Sequence, residues 1–308
     1  MLPAMKAFVK QRLLEAGFDL AGIAAAAPLD RDFTRFLEWI RKGYGADMAY
    51  LERHAALRES PRLLLPGARS VIVAAAAYEP IVPPGPIAAY AVGEDYHAVL
   101  KRALEQAVDG IRTRAPQARF RIVVDTAPLL ERAWAARSGI GWIGRSTNLI
   151  TRPFGPYVLL GEILTDLSLE PDGPLSNLCH DCHGCLEACP TGALVSPYQL
   201  DARLCLSYLT IEKRGAFSIA ENKLLDTGPV FGCDLCLNAC PHGERFREGA
   251  KVGKGLLAPP LRNLVEADDQ MIEGICRSGF KKAFGVSAVM RAGKQGLLRN
   301  IEARRGKM

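Results

Sequence analysis

The 308-residue sequence predicts an α/β (or α+β) amino-terminal domain, a cysteine-rich middle domain and a helical carboxy-terminal segment. Three observations lead to this division. Strand-like apolar runs alternate with amphipathic helices before the first cysteine, as in α/β architectures. Eight of the nine cysteines then lie between positions 179 and 240, and helical patterns return after them. We therefore expect domains at residues 1–169, 170–250 and 251–308.

The individual elements are predicted from apolar periodicity and from Gly and Pro boundaries. Helices are expected at 4–17, 30–42, 95–114, 128–138, 257–265, 267–277 and 286–303, and strands at 20–26, 71–77, 120–124 and 157–167. The glycine turn at 139–144 matches no phosphate-binding fingerprint, which leaves a structural turn or a close approach to a flat ligand.

The amino terminus predicts an amphipathic helix rather than an export leader, and no stretch approaches about 20 uninterrupted apolar residues. Thiolate-type cysteine runs in such a chain favour a reducing compartment. We therefore expect a cytoplasmic protein without a membrane span.

The cysteines form two linked runs, Cys179-x2-Cys182-x2-Cys185-x3-Cys189-Pro190 and Cys233-x2-Cys236-x3-Cys240-Pro241. This is the spacing of a ferredoxin-like protein with two [4Fe–4S] clusters, in which the last cysteine of a run ligates the other cluster. Zinc and disulfides are the alternatives. Zinc sites usually close separated CxxC pairs on one tetrahedron, and disulfide frameworks belong to short secreted chains.

The ligand count leads to one further assignment. Two cubes need four ligands each, and the runs supply seven thiolates, because Val230 stands where the second run would begin. Cys205, between the runs, is the natural eighth ligand, which leaves Cys276 as a small hydrophobe. The expected sets are Cys179, Cys182, Cys185 and Cys240 for one cube, and Cys189, Cys205, Cys233 and Cys236 for the other.

The formal net charge is +6, and much of the excess lies near the carboxy terminus. From residue 281 onward, one acid, Glu302, stands against eight basic residues: Lys281, Lys282, Arg291, Lys294, Arg299, Arg304, Arg305 and Lys307. This pattern indicates either a solvated helical face with a basic tail or a phosphate-binding surface.

Two polar positions outside the cysteine runs are candidates for chemistry. Asp125 ends an apolar strand, where open α/β sheets place catalytic groups, although it could merely cap the helix that follows. His97 begins the helix at 95–114 and is expected to face solvent or a ligand. Three other histidines interleave the cysteines and are expected near the thiolates or at the surface: His180, His183 and His242.

Several strings taken together resemble the epoxyqueuosine reductase family over essentially the whole chain. Besides the cysteine runs, they are Tyr90-Ala91-x-Gly93-x-Asp95-Tyr96-His97, Val124-Asp125-Thr126-x-Pro128-x-x-Glu131-Arg132, Gly139-x-Gly141-Trp142-Ile143-Gly144, Thr147-Asn148-Leu149-Ile150, Leu160-Gly161-Glu162-Ile163, Cys205-x-Ser207-Tyr208-Leu209-Thr210-Ile211-Glu212, Gly232-Cys233-Asp234-x-Cys236 and Leu298-Arg299-Asn300. The chain departs from the family pattern at Arg145, where Lys is usual, and at His242-Gly243, where Trp-Asn is usual. Many members also carry a HEAT-like helical extension, and we expect that part to be missing or reduced here.

The resemblance implies reduction of epoxyqueuosine in a tRNA anticodon loop to queuosine, with cobalamin bound by the amino-terminal, corrinoid-binding domain and an external electron donor. Asp125 would be the proton donor, with a pKa raised by a desolvated site. Expected cofactor contacts are Asp125, Tyr96, His97, Gly144, Arg145, Asn148, Leu149, Ser207, Cys233 and Asp234. Expected tRNA contacts are Lys281, Lys282, Arg291, Lys294 and Arg299.

Two other functions fit part of the sequence. A two-cluster electron-transfer protein would explain the cysteines but not the α/β domain before them. A corrinoid reductive dehalogenase would explain both, although such enzymes typically carry an export leader.

Overall fold

The structure, a computed structural model, describes residues 2–226, 228–249, 255–257 and 262–306. Its strands are β1 (Leu20–Ala25), β2 (Ser70–Ala77), β3 (Phe120–Val123), β4 (Trp142–Ile143), β5 (Leu149–Ile150) and β6 (Val158–Thr165). Its α-helices are α1 (Leu2–Glu15), α2 (Asp30–Arg41), α3 (Ala49–Arg53), α4 (Tyr96–Arg112), α5 (Glu131–Arg137), α6 (Gly184–Glu187), α7 (Leu206–Ile211), α8 (Ile219–Leu225), α9 (Leu235–Asn238), α10 (Glu244–Arg247), α11 (Arg262–Val265), α12 (Asp269–Ser278), α13 (Phe280–Phe284) and α14 (Gly293–Arg304).

The predicted elements of the amino-terminal part are present, with shifted ends. The helix expected at 128–138 begins only at Glu131, because the chain bends through residues 125–128. The short β4–β5 hairpin was not predicted, since its two-residue strands have no periodicity to detect. The last expected helix is divided into a 3-10 turn, Ala288–Arg291, and α14. Residues 258–261 of the helix expected at 257–265 lie outside the described part of the chain.

The main sheet has the order β1–β2–β6–β3, and all three strand pairings are antiparallel. The fold is therefore of the mixed α+β kind. In such a sheet neighbouring strands end at opposite edges, so the argument that placed Asp125 at the carboxyl edge of a parallel sheet does not apply. Its position has to be explained by its own contacts.

Helices cover both faces of this sheet. Helices α1 and α4 pack on one face, where Leu13, Leu100 and Ile163 are fully buried. On the other face α5 packs with Trp134 against Leu164 of β6. Because both faces are covered, every residue of β2 is buried and its sequence shows no polar alternation.

The carboxy-terminal helices belong to the same core. Cys276 of α12 is 1% exposed and packs in the cluster that contains the α1–α4 face of the sheet, as a small hydrophobe would. Asn300 of α14 is fully buried, and its side-chain amide donates to the carbonyl oxygens of Thr210 and Val230, both at 2.9 Å. These two hydrogen bonds tie α14 to the cysteine-rich segment.

None of the helices in the described ranges is long and apolar enough to cross a membrane.

Candidate active site

Four cysteines, Cys179, Cys182, Cys185 and Cys240, line one cavity. Cys240 belongs to the second run, so the two runs are folded onto each other, with α6 against α9. The remaining lining comes from the β4–β5 hairpin and the end of the second run: Gly144, Arg145, Ser146, Ile150, Pro241 and His242. A cavity surrounded by four thiols is the arrangement that a [4Fe–4S] cube requires.

The second group forms around Cys205. Burial raises the pKa of Cys236 well above its usual value, and the neighbouring thiols of Cys233, Cys205 and Cys189 raise it further. Burial likewise raises the pKa of Cys233 to about 12. Thiols whose ionisation is this unfavourable become thiolates beside a cationic metal centre.

This geometry does not suit zinc. Within the described residues, no group of three or more Cys, His, Asp or Glu side chains is arranged to hold a single metal ion, as a tetrahedral zinc site would require. Two groups of four thiols instead fit the wider ligand shells of two cubes.

Asp125 lies just after β3 in the left-handed region, with φ +50°. Its Oδ2 lies 3.0 Å from Nε2 of His97, and its backbone N–H donates to Oε1 of Glu131 at 2.5 Å. The residue at the N-cap of α5 is Leu130, without a side-chain cap, so Asp125 does not cap that helix. The Asp125 side chain is 57% exposed and is available to a ligand.

His97 is held between two carboxylates. Asp95 caps α4 by accepting the backbone N–H of His97, and its Oδ1 also lies 2.7 Å from Nδ1 of the ring. Burial acts to lower the pKa of His97, but its hydrogen bonds to Asp125 and Asp95 outweigh burial and raise it. The ring also stacks on Tyr96, with centroids 4.0 Å apart.

The same contact fixes the ionisation of Asp125. The hydrogen bond from His97 lowers the pKa of Asp125 more than desolvation raises it. The expectation of a raised pKa is therefore wrong for this structure, because sequence reasoning considered burial and not the histidine partner. The contact therefore favours a proton on His97 and a carboxylate at Asp125.

Two further carboxyl groups lie next to Asp125. Glu162 is 0% exposed in β6, and burial raises the pKa of both Glu162 and Glu131. The Glu131 carboxyl raises the pKa of Glu162 further, whereas a hydrogen bond from Glu162 acts to lower that of Glu131. Sequence reasoning did not single out Glu162 as a functional residue. Its signal in the sequence is a single acid within the apolar run from Val158 to Leu164.

Arg132 connects this site to the cysteine-rich segment. Its guanidinium lies close enough to Asp125, Glu131 and Cys236 to interact with their charges. It also donates to the carbonyl oxygen of Thr147 at 2.9 Å, just before Asn148. The Asp125 region, the 147–148 turn and the second cysteine group therefore converge at this arginine.

The Cys233-Asp234 loop packs tightly against residues 88–89. Asp234 is 4% exposed, and its Oδ2 accepts the backbone N–H of Ala89 at 2.7 Å. Its Oδ1 is buried without a hydrogen-bond partner in the described part of the chain. Gly232 has φ +72°, and a Cβ there would lie 2.5 Å from that of Ala88, so the close approach requires glycine.

The other expected cofactor contacts are spread more widely. Gly144 and Arg145 line the first cysteine cavity, and Arg145 donates to the carbonyl oxygen of His180 at 2.6 Å. Leu149 is 3% exposed in the core beside α5, so its side chain presents no surface to a ligand. Ser207 is half-buried on α7.

The basic residues of the last segment fall into two groups. Lys281, Lys282 and Lys294 are exposed. Arg299 instead donates to the carbonyl oxygens of Leu209, Lys213 and Gly215 and lies 4.0 Å above the ring of Phe217.

Arg291 is intermediate in its availability to a ligand. It forms two hydrogen bonds with Glu212, at 2.9 and 2.8 Å, and its side chain remains 54% exposed.

Two family models match the sequence. One is described as epoxyqueuosine reductase QueG (DUF1730) and matches residues 58–126, and the other is a 4Fe-4S double cluster binding domain over residues 178–243. An epoxyqueuosine reductase of Leadbetterella byssophila is 36% identical over 297 residues, which cover 95% of this chain and 96% of that protein. The Escherichia coli K12 epoxyqueuosine reductase is 36% identical over 307 residues, covering 95% and 78% of the two chains.

Solved structures agree with these matches. A crystal structure of epoxyqueuosine reductase with an epoxyqueuosine-modified tRNA-Tyr stem loop superposes with a TM-score of 0.89 and 28% identity, covering 100% of this chain and 82% of that one. A Bacillus subtilis epoxyqueuosine reductase, in which an aspartate catalytic loop is swung out of the active site, gives 0.87 and 28%, with the same coverage. This chain therefore belongs to the epoxyqueuosine reductase family and is an oxidoreductase with a double 4Fe–4S cluster domain.

Proposed function

We propose that the chain reduces the epoxide of epoxyqueuosine, carried in a tRNA anticodon loop, to give queuosine. Two electrons and two protons are consumed, both carbon–oxygen bonds of the epoxide break, and its oxygen leaves as water. The observation that carries this proposal is the hydrogen-bonded series Asp95–His97–Asp125, which places a held proton beside an exposed carboxylate.

The two groups of cysteines would hold the clusters, in the sets expected from the ligand count. Cobalamin would lie between the amino-terminal domain and the cysteine-rich segment, near Asp125, Arg132, Asn148 and Asp234. The buried, unpartnered Oδ1 of Asp234 fits a corrinoid, whose peripheral amides are hydrogen-bond donors. When bound, these cofactors supply the electrons from an external donor.

Asp125, His97 and Asp95 would transfer the proton. Asp125 faces the substrate side as a carboxylate, and His97 holds a proton at Nε2, 3.0 Å from Oδ2. As negative charge develops on the epoxide oxygen, the proton of His97 passes through the Asp125 carboxylate to that oxygen, and the second proton of the departing water comes from solvent. Asp95 keeps the imidazole oriented and stabilises its charged form.

The loop that carries Asp125 supports this role. Residues 125–128 bend between β3 and α5, and the corresponding function in the Bacillus subtilis relative belongs to an aspartate catalytic loop. We infer that residues 124–128 are the equivalent loop here.

The tRNA would approach across the basic carboxy-terminal segment. Arg291 lies close enough to Asp125 for their charges to interact, which brings this segment to the rim of the site. The exposed lysines, Lys281, Lys282 and Lys294, are the side chains free to meet phosphates. Arg299 is not proposed as a phosphate contact, because its guanidinium donates to backbone carbonyl oxygens and packs over the ring of Phe217.

The ligand assignment predicts different iron contents for two alanine variants. Cys205→Ala should lose one cube and retain about half of the wild-type iron, whereas Cys276→Ala should retain all of it, because Cys276 lies in the hydrophobic core. Iron assays and EPR of the anaerobically purified proteins measure this. Full iron in Cys205→Ala would remove it from the ligand set.

The proton-donor role predicts that Asp125→Asn keeps its cofactors but turns over slowly. The amide is nearly isosteric but cannot deliver the proton, so kcat should fall about 10²–10⁴-fold. Single-turnover assays on protein with full iron measure the loss. A rate within a few-fold of wild type would exclude Asp125 as the donor.

The pH dependence follows from His97. Because its pKa is raised, His97 keeps its proton to a higher pH than a free histidine and loses it as the pH rises through that pKa, so kcat should fall on the alkaline side. His97→Gln should lose most of the activity, and its remaining kcat should no longer fall on the alkaline side. His54→Gln changes an exposed histidine and should keep the wild-type pH profile. An unchanged alkaline limb in His97→Gln would contradict the relay.

The tRNA surface predicts a change in salt dependence. Lys281→Glu, Lys282→Glu and Lys294→Glu should each weaken binding of the tRNA stem loop. Each should also reduce the slope of log K against log salt by about 0.7 or more per lost phosphate contact. Arg112→Glu is the matched control, since this exposed residue is at the far end of α4, about 22 Å along the helix from His97. Equal slopes in all four variants would exclude this surface.

A further inference from the structure

The proton relay leaves Glu162 unexplained. This residue lies in β6, an inner strand of the sheet, where it is paired opposite Val73 and Val123 and is 0% exposed. Neither of its carboxyl oxygens has a hydrogen-bond partner of ordinary geometry in the described ranges. A buried carboxyl without a hydrogen-bond partner destabilises the fold. We therefore expect Glu162 to have a role toward a neighbouring group.

The charged group that acts most strongly on Glu162 is another acid. Leu160 and Leu164, which share its side of the strand, are buried against α5, so Glu162 faces the same helix. Glu131 begins that helix, and its carboxyl is close enough to interact with that of Glu162. The other charged groups facing the pair are Asp125 and Arg132.

Two carboxylates cannot both be charged in this position. Burial and mutual repulsion disfavour double ionisation, so one of the two keeps its proton at neutral pH. Glu162 is the more deeply buried, whereas Glu131 has the amino terminus of α5 and the Arg132 guanidinium beside it, both of which favour a negative charge. The proton therefore belongs on Glu162, which becomes a hydrogen-bond donor.

Glu131 connects the acid pair to the loop that carries Asp125. Its Oε1 accepts the backbone N–H of Asp125, the residue with φ +50°. A non-glycine residue in the left-handed region persists only when its surroundings hold it there. The direction of the Asp125 carboxyl toward His97 depends on that backbone.

We propose that protonated Glu162 donates to the Glu131 carboxylate, and that this acid pair is the positioning device that holds Asp125 in its active conformation. The inference rests on the proposed function, since it assumes that Asp125 acts on the substrate. Glu162 itself touches no substrate and acts only through Glu131.

Three substitutions separate this role from simple packing. Glu162→Gln keeps a neutral donor of the same shape and should leave kcat close to wild type. Glu162→Met fills similar space without a donor, so the thermal midpoint should be equal or higher while kcat falls up to about 10²-fold with little change in KM. Glu131→Gln should also lower kcat, because its amide cannot accept strongly from both partners.

Infrared difference spectra test the proton directly, on protein without substrate. The carbonyl stretch of a buried, protonated carboxyl should be present at neutral pH in the wild type and in Glu131→Gln, and absent from Glu162→Gln. Loss of activity in Glu162→Gln equal to that in Glu162→Met, or a wild-type kcat in Glu162→Met, would overturn the proposal, as would the absence of that band. If Asp125→Asn proved active while the band assignment held, the proton-donor role would fail and the positioning role with it, and only the protonated state of Glu162 would stand.

Discussion

The crossing of the two cysteine runs is the constraint on which the rest of the molecule depends. Cys240 closes the first group and Cys189 joins the second, so neither run can form its site without the other. This requirement brings α6 against α9 and places Cys205, which lies between the runs in sequence, within the second group. The β4–β5 hairpin completes the first cavity, which fixes the cysteine-rich segment to the amino-terminal domain.

Arg132 and Asn300 connect the cysteine-rich segment to two other parts of the molecule. Arg132 joins the Asp125 region to the 147–148 turn and to Cys236, so the loop that carries Asp125 and the second cysteine group share one cation. Asn300 holds α14 to the segment around Thr210 and Val230. The basic helices thereby reach the rim of the site, where Arg291 pairs with Glu212.

Sequence reasoning succeeded where spacing alone determines the chemistry. The double-cluster cysteine runs and the strands and long helices followed from patterns of a few residues, whereas the assignment of Cys205 as the eighth ligand stays a prediction. It failed where the outcome depends on contacts distant in sequence. The raised pKa expected for Asp125 was wrong because His97, 28 positions away, reverses the effect of burial. Arg299 looked like part of a free basic surface because the sequence does not show the three carbonyl oxygens it meets.

The distribution of charge explains how such a site can return to its starting state. In the proposed relay, with Glu162 neutral and His97 charged, three carboxylates (Asp95, Asp125 and Glu131) face two cations (His97 and Arg132), a net charge of one negative. Delivery of the proton from His97 through Asp125 would add a second negative charge, which a partly desolvated site disfavours. Because His97 is 33% exposed and Asp125 is 57% exposed, solvent can restore the proton at the same place from which it was taken. Glu162 has no such access, so its proton is suited to holding the loop and not to turnover.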